Sequence, residues 1–88
     1  MLKIKDNVDL KELEKYGFEF DKYENGYTRI CYGSELDADE IIIREDRIIN
    51  NWTCLETYDD AYSGESELDD NMTYKIGDLI KDGLVEKV

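Results

Sequence analysis

Thirteen carboxylates stand between Glu35 and Asn71 against two bases, Arg44 and Arg47, and their spacing is the chemistry the chain offers first. Glu35, Asp37 and Asp39 fall at i, i+2 and i+4, and so do Glu65, Glu67 and Asp69. In an extended chain such residues share one face at intervals of about 6.6 Å. That interval is close to the roughly 6 to 7 Å between successive phosphates of a nucleic-acid strand, which rises about 3.4 Å per nucleotide. Two rows of this kind would imitate a phosphate backbone and could occupy the Lys- and Arg-lined groove of a nucleic-acid-binding protein. Trp52, Tyr58 and Tyr62 lie close by in sequence as apolar anchors, which matters because rim ion pairs contribute only about 0 to 1 kcal/mol each.

Other chemistries fit less well. The chain has no His, so Ser-His-Asp, Cys-His and His-zinc sites are excluded. Asp59 to Asp70 has the length of a calcium loop with Gly64 at its sixth position. However, Ala61 stands where an oxygen ligand is needed, Ser66 replaces an aliphatic, and Asp70 is shorter than the bidentate Glu usual at the last position. A magnesium-dependent nuclease commonly sets a Lys beside its carboxylates, and this stretch has none. No catalytic residue, metal or cofactor is expected. Direct nucleic-acid binding is disfavoured as well, since Lys3, Lys5, Lys11 and Lys15 alternate with Asp6, Asp9, Glu12 and Glu14, a solvated face without a basic patch. Cys31 and Cys54 can make one disulfide at most. The absence of an apolar segment of signal-peptide length after Met1 points to a cytoplasmic chain with reduced thiols, the two cysteines serving as small buried residues in neighbouring strands.

The elements that position these groups follow from periodicity. Leu2 to Lys5 alternates as a short strand. Asn7 or Asp9 can cap a helix over about 9–16, with Leu10, Leu13 and Tyr16 as its apolar stripe and Gly17 as its stop. From Phe18 the period becomes two, with Phe18 and Phe20 on one face and Glu19 and Asp21 on the other. Asn25-Gly26 predicts a type I′ hairpin turn into a strand over Tyr27–Tyr32. Ile41-Ile42-Ile43 and Ile48–Thr57 make a second hairpin about Glu45-Asp46, with Ile43 opposite Ile48. The three isoleucines offer apolar groups to both faces, which favours a central position in the sheet. Residues 58–71 read as a long loop. Thr73 then caps a last helix carrying Ile76, Leu79 and Ile80, weakened by Gly77 and closed by Gly83, and Leu84–Val88 returns as a strand beside Leu2–Lys5. The expected fold is α+β: a single small domain over 1–88, mostly an antiparallel meander of four or more strands with a helix near each end and acidic loops at 34–40 and 58–71.

The opening LKIKDNVDLKELEKYGF (Leu2–Phe18) and the ending DLIKDGLVEKV (Asp78–Val88) resemble the two ends of small uncharacterised acidic proteins of phages and mobile elements of Gram-positive bacteria. The likeness covers roughly a third of the chain and falls on the terminal strands and helices, not on the acidic middle. It implies a shared scaffold with a middle adapted to different partners, working in a bacterial cytoplasm.

Residues 1–34 carry seven acids against six bases and residues 72–88 three of each, so the surplus charge is confined to the middle. Solubility alone gains nothing from such concentration, and self-repulsion in it costs stability. The functional expectation is a non-enzymatic interaction protein that inhibits a bacterial nucleic-acid-binding protein such as a CRISPR effector or another defence nuclease. Its partner-binding residues would be Glu35, Asp37, Asp39, Glu40, Trp52, Tyr58, Asp59, Asp60, Tyr62, Glu65, Glu67, Asp69 and Asp70. The alternatives are an immunity protein for a basic toxin and a phage structural or assembly component whose isoleucines form an oligomer contact.

Overall fold

A computed structural model describes residues 1–33, 37–55 and 62–88, with the backbone alone for Tyr32, Asp37, Leu55 and Tyr62. Five strands follow one another as an antiparallel meander in chain order: β2 (Glu19–Asp21), β3 (Gly26–Gly33), β4 (Asp37–Arg44), β5 (Ile49–Leu55) and β6 (Tyr62–Glu67). Strands β1 (Leu2–Ile4) and β7 (Val85–Lys87) form a separate antiparallel pair, tied to the start of β5 by a bridge between Lys3 and Ile48. A 3₁₀ helix over Leu10–Tyr16 precedes the meander, and a second over Asp70–Ile76 runs into α1 (Gly77–Lys81). The expected α+β architecture is therefore present, with the triple isoleucine on the central strand. No helix among the described residues is long and apolar enough to cross a membrane.

The first helix owes its 3₁₀ form to the stripe that predicted it. Leu10, Leu13 and Tyr16 recur every three residues, which lines them up at three residues per turn. Leu13 is fully buried, with Leu10 and Tyr16 packed against the same core. Asp9 caps the helix by accepting a bond from the Lys11 amide, and Gly17 leaves it with φ of 84°. The core cluster unites Leu2, Ile4, Leu13, Phe18, Ile41, Ile43, Ile49, Leu68, Ile76 and Leu79, so the helices and the small sheet all lie on one face of the meander.

Several expectations are corrected. The β2–β3 connection is the four residues 22–25. Asn25 takes the left-handed conformation, but Gly26 is already the first residue of β3, opposite Asp21. The Asp21 carboxylate accepts from the Tyr23 and Glu24 amides and so builds the turn. Gly26 serves close packing instead, since a Cβ there would stand 2.7 Å from the Ile43 carbonyl oxygen. In the second hairpin Ile43 faces Ile49, not Ile48, because Arg47 adopts φ of 71° and displaces the register by one. Its guanidinium donates to the Lys5 and Val8 carbonyls at 2.8 and 2.7 Å, which holds that conformation in place. Residues 37–40 of the first expected loop belong to β4, and residues 62–67 of the second form β6, a strand defined by pairing with β5. Asp69, not Thr73, is the side-chain cap, accepting from the Asn71 amide at the start of the second 3₁₀ helix, and Gly77, expected to weaken the last helix from within, is the first residue of α1. Cys31 and Cys54 lie on β3 and β5 with β4 between them, and Cys31, at a bulge, is exposed.

Candidate partner-binding face

Because side chains of directly paired residues share a face, the register fixes what the second face of the meander carries. One row runs Ile30–Glu40–Trp52–Glu65 across β3, β4, β5 and β6. The next runs Glu19–Thr28–Ile42–Asn50–Glu67 across all five strands, and a third joins Asp21, Gly26 and Arg44. The core-forming helices pack on the opposite side, and among the described residues no helix covers this outer face. Ile30 is 65% exposed, Trp52 is half-buried between Glu40 and Glu65 on the neighbouring strands, and Ile42 is buried beneath the surrounding side chains.

Arg44 is the one base among the described residues of these rows, and it is saturated. It makes a two-pronged bond to Glu65 at 2.9 Å for each oxygen, and it donates to the Glu24 carboxylate and carbonyl at 2.7 Å. The bond to Glu65 holds its proton more firmly than usual, with Glu24 adding to the effect. Six carboxylates, Glu19, Asp21, Glu24, Glu40, Glu65 and Glu67, thus share the face with a single guanidinium. Glu40 registers the excess. Burial, and then the charges of Asp21 and Glu24, push its carboxyl above the ordinary range.

The expected site residues divide by face and by segment. Glu40, Trp52, Glu65 and Glu67 are brought together on the outer face. Asp39 is not among them. It points to the inner face, where Lys75 donates to it and the Thr53 hydroxyl donates at 3.3 Å. Asp69 is spent on the cap, and Asp70 pairs with Lys87. The row Glu65, Glu67, Asp69 is therefore broken after its second member, because the strand ends at Glu67. Asp37 and Tyr62 open β4 and β6 at the same end of the sheet, while Glu35, Tyr58, Asp59 and Asp60 lie outside the described residues. Sequence reasoning passed over Glu19, Asp21, Glu24, Ile30 and Arg44. The alternation of Glu19 and Asp21 against Phe18 and Phe20 was the available signal for the first two. Among the described residues no three carboxylates or thiols are grouped to hold a metal ion.

Comparison of the chain with protein-family models, with curated proteins and with solved structures found no match.

Proposed function

We propose that this chain is an acidic interaction protein of a phage or mobile element, acting in the bacterial cytoplasm, that inhibits a nucleic-acid-handling host protein by covering its basic groove. A CRISPR effector or another defence nuclease is the best example of such a target. The observation that carries the reading is the row in which Trp52, half-buried, is flanked across the sheet by Glu40 and Glu65 on a face that no helix among the described residues covers. An aromatic anchor ringed by carboxylates suits a surface of Arg and Lys, to which it offers both apolar contact and charge. Adjacent strands lie about 4.8 Å apart, so Glu40 and Glu65 stand about 10 Å from each other, and Glu65 and Glu67 about 6.6 Å along β6. A grid on this scale presents charge at intervals like those of a phosphate backbone. Electrostatic steering would set the association rate, and the apolar centre the lifetime of the complex. The reading requires no catalytic step and no cofactor.

The oligomer-contact alternative rested on the isoleucines, and Ile41, Ile42 and Ile43 are all buried within the chain. The test is capture from a bacterial lysate at low and high salt, followed by competition between this protein and labelled duplex DNA for the captured protein. The expected result is a nucleic-acid-binding protein that releases DNA as this chain is added, with the triple variant Glu19→Lys, Glu40→Lys, Glu67→Lys inactive. If no nucleic-acid-binding protein is recovered at either salt concentration, the reading fails.

A further inference from the structure

The outer edge of β6 supplies something the face alone does not: a line of backbone donors and acceptors. The Leu68 amide donates to the Ile49 carbonyl at 2.9 Å, and antiparallel ladders alternate in phase from such a pair. Ser66 and Gly64, in phase with Leu68, turn their backbone groups to Asn51 and Thr53 of β5. Ser63, Glu65 and Glu67 turn theirs away. Among the described residues no strand pairs with that edge.

Open edges are usually blunted by Lys, by Pro, by a bulge or by a covering element. Among the described residues none of these protects β6, whose pairing with β5 is regular from Tyr62 to Glu67. Its charges are acidic and occupy the positions with open backbone groups. A second copy approaching this edge would bring its own carboxylates against Glu65 and Glu67, and like charges facing across strands are destabilising. A segment with basic side chains at every second position meets the opposite condition. The alternate positions, Gly64 and Ser66, are small and leave room for bulkier side chains on that segment.

We infer that β6 accepts an extended Lys- or Arg-alternating segment of the partner protein as a sixth, antiparallel strand. The inference rests on the outer face being the partner surface and adds the contact that fixes the partner's orientation. In this arrangement the residue opposite Glu65 is basic, sends its side chain to the outer face, and exchanges both backbone hydrogen bonds with Glu65. A second basic residue does the same opposite Glu67.

The test uses the full chain and three eight-residue peptides of alternating Lys and Thr: unmodified, N-methylated on the Lys amides, and N-methylated on the Thr amides. The two methylated isomers have the same charge and composition. The expected result is that the Thr-methylated peptide binds like the unmodified one and the Lys-methylated peptide at least ten-fold more weakly, with slowed amide exchange at Ser63, Glu65 and Glu67 in the bound protein. Equal binding of the two isomers would overturn strand addition and leave the charge-based reading of the face standing. Failure of all three to bind would also overturn it. So would protection of the same amides that grows with protein concentration in the absence of peptide, since the edge would then belong to a second copy. Capture from lysate lost through Glu19→Lys and Glu40→Lys alone tests the face independently of this edge.

Discussion

The two faces of the meander are made from alternate residues of the same strands, yet they treat charge in opposite ways. On the inner face Arg29 of β3 donates to Asp78 at 2.7 Å, to the Tyr16 carbonyl at 2.9 Å and to the Lys75 carbonyl at 2.8 Å, and its guanidinium lies 4.6 Å from the centre of the Phe18 ring. Lys75 is shared between Asp39 and the Asn51 amide oxygen. Each of these charges joins a helix to the sheet, and each has an opposite charge beside it. On the outer face Arg44 joins the β2–β3 turn to β6, and among the described residues three further carboxylates, Glu19, Glu40 and Glu67, have no base in their rows. Folding accounts for the first arrangement. The second is a cost to folding, of the kind a basic partner would relieve.

The largest expected effect tests the inner face. Arg29→Met keeps the apolar stem over Phe18 but leaves Asp78 and two carbonyls without their donor. The loss should be about 2 kcal/mol, since the mostly buried guanidinium gives up its bonds to two carbonyls together with a pair to the half-exposed Asp78. It would appear in urea as a lower midpoint with an unchanged slope, and added salt should not restore it. A loss that salt did restore would mean that Arg29 acts by long-range charge and would weaken the contrast between the faces.

A smaller effect is expected from Arg44→Gln. Arg44 is more exposed than Arg29 and donates to one carbonyl rather than two, so the loss should be about 1 kcal/mol at low ionic strength. What distinguishes it is the remedy. The uncovered carboxylates repel one another across an open face, so raising salt to about 0.5 M, where screening acts within a few ångströms, should recover most of the loss in a thermal melt. A loss insensitive to salt would assign Arg44 a packing role and remove the argument that the face is over-charged.

The inner face was largely legible in the sequence, and the outer face was not, for a physical reason. Core residues announce themselves by type and period, as Leu10, Leu13 and Tyr16 do, and the terminal strand pair follows from the alternation of Leu2–Lys5. Acidity carries no such direction. Asp39 and Glu40 are adjacent and look equivalent, yet one is consumed by Lys75 and the other stands beside Trp52, and only the register decides which. A shift of one residue inverts every assignment on a strand, and the register here depends on Arg47 holding a left-handed conformation that its sequence neighbours do not signal. Strand β6 was hidden for a related reason. Its residues, Tyr-Ser-Gly-Glu-Ser-Glu, are mostly weak strand formers, and pairing with β5 imposes the conformation that propensity would not.

The smallest effect separates the faces by sign. Burial raises the Asp78 carboxyl, but the bonds from Arg29 and from the Leu79 amide outweigh it and hold the group below its ordinary range. Its contribution to stability is therefore present above the unfolded value of 3.8 and is lost as pH falls through the folded one. Glu40 runs the other way, since its folded value lies above the unfolded 4.5. It favours the folded state fully below that pH, and this preference is lost as pH rises through the folded value, so ionised Glu40 is a burden at neutrality. Glu40→Gln should accordingly raise the melting temperature at pH 7, by about 2 °C for a domain of this size, and the gain should shrink toward nothing near pH 4, where both side chains are neutral. The same substitution removes a carboxylate beside Trp52 and should weaken capture of the proposed basic partner. A variant that is more stable and binds less well would identify Glu40 as a residue kept for the partner at the expense of the fold. A variant that loses stability at pH 7 would show instead that the charge on Glu40 supports the sheet, and the contrast between the two faces would fail at its most exposed point.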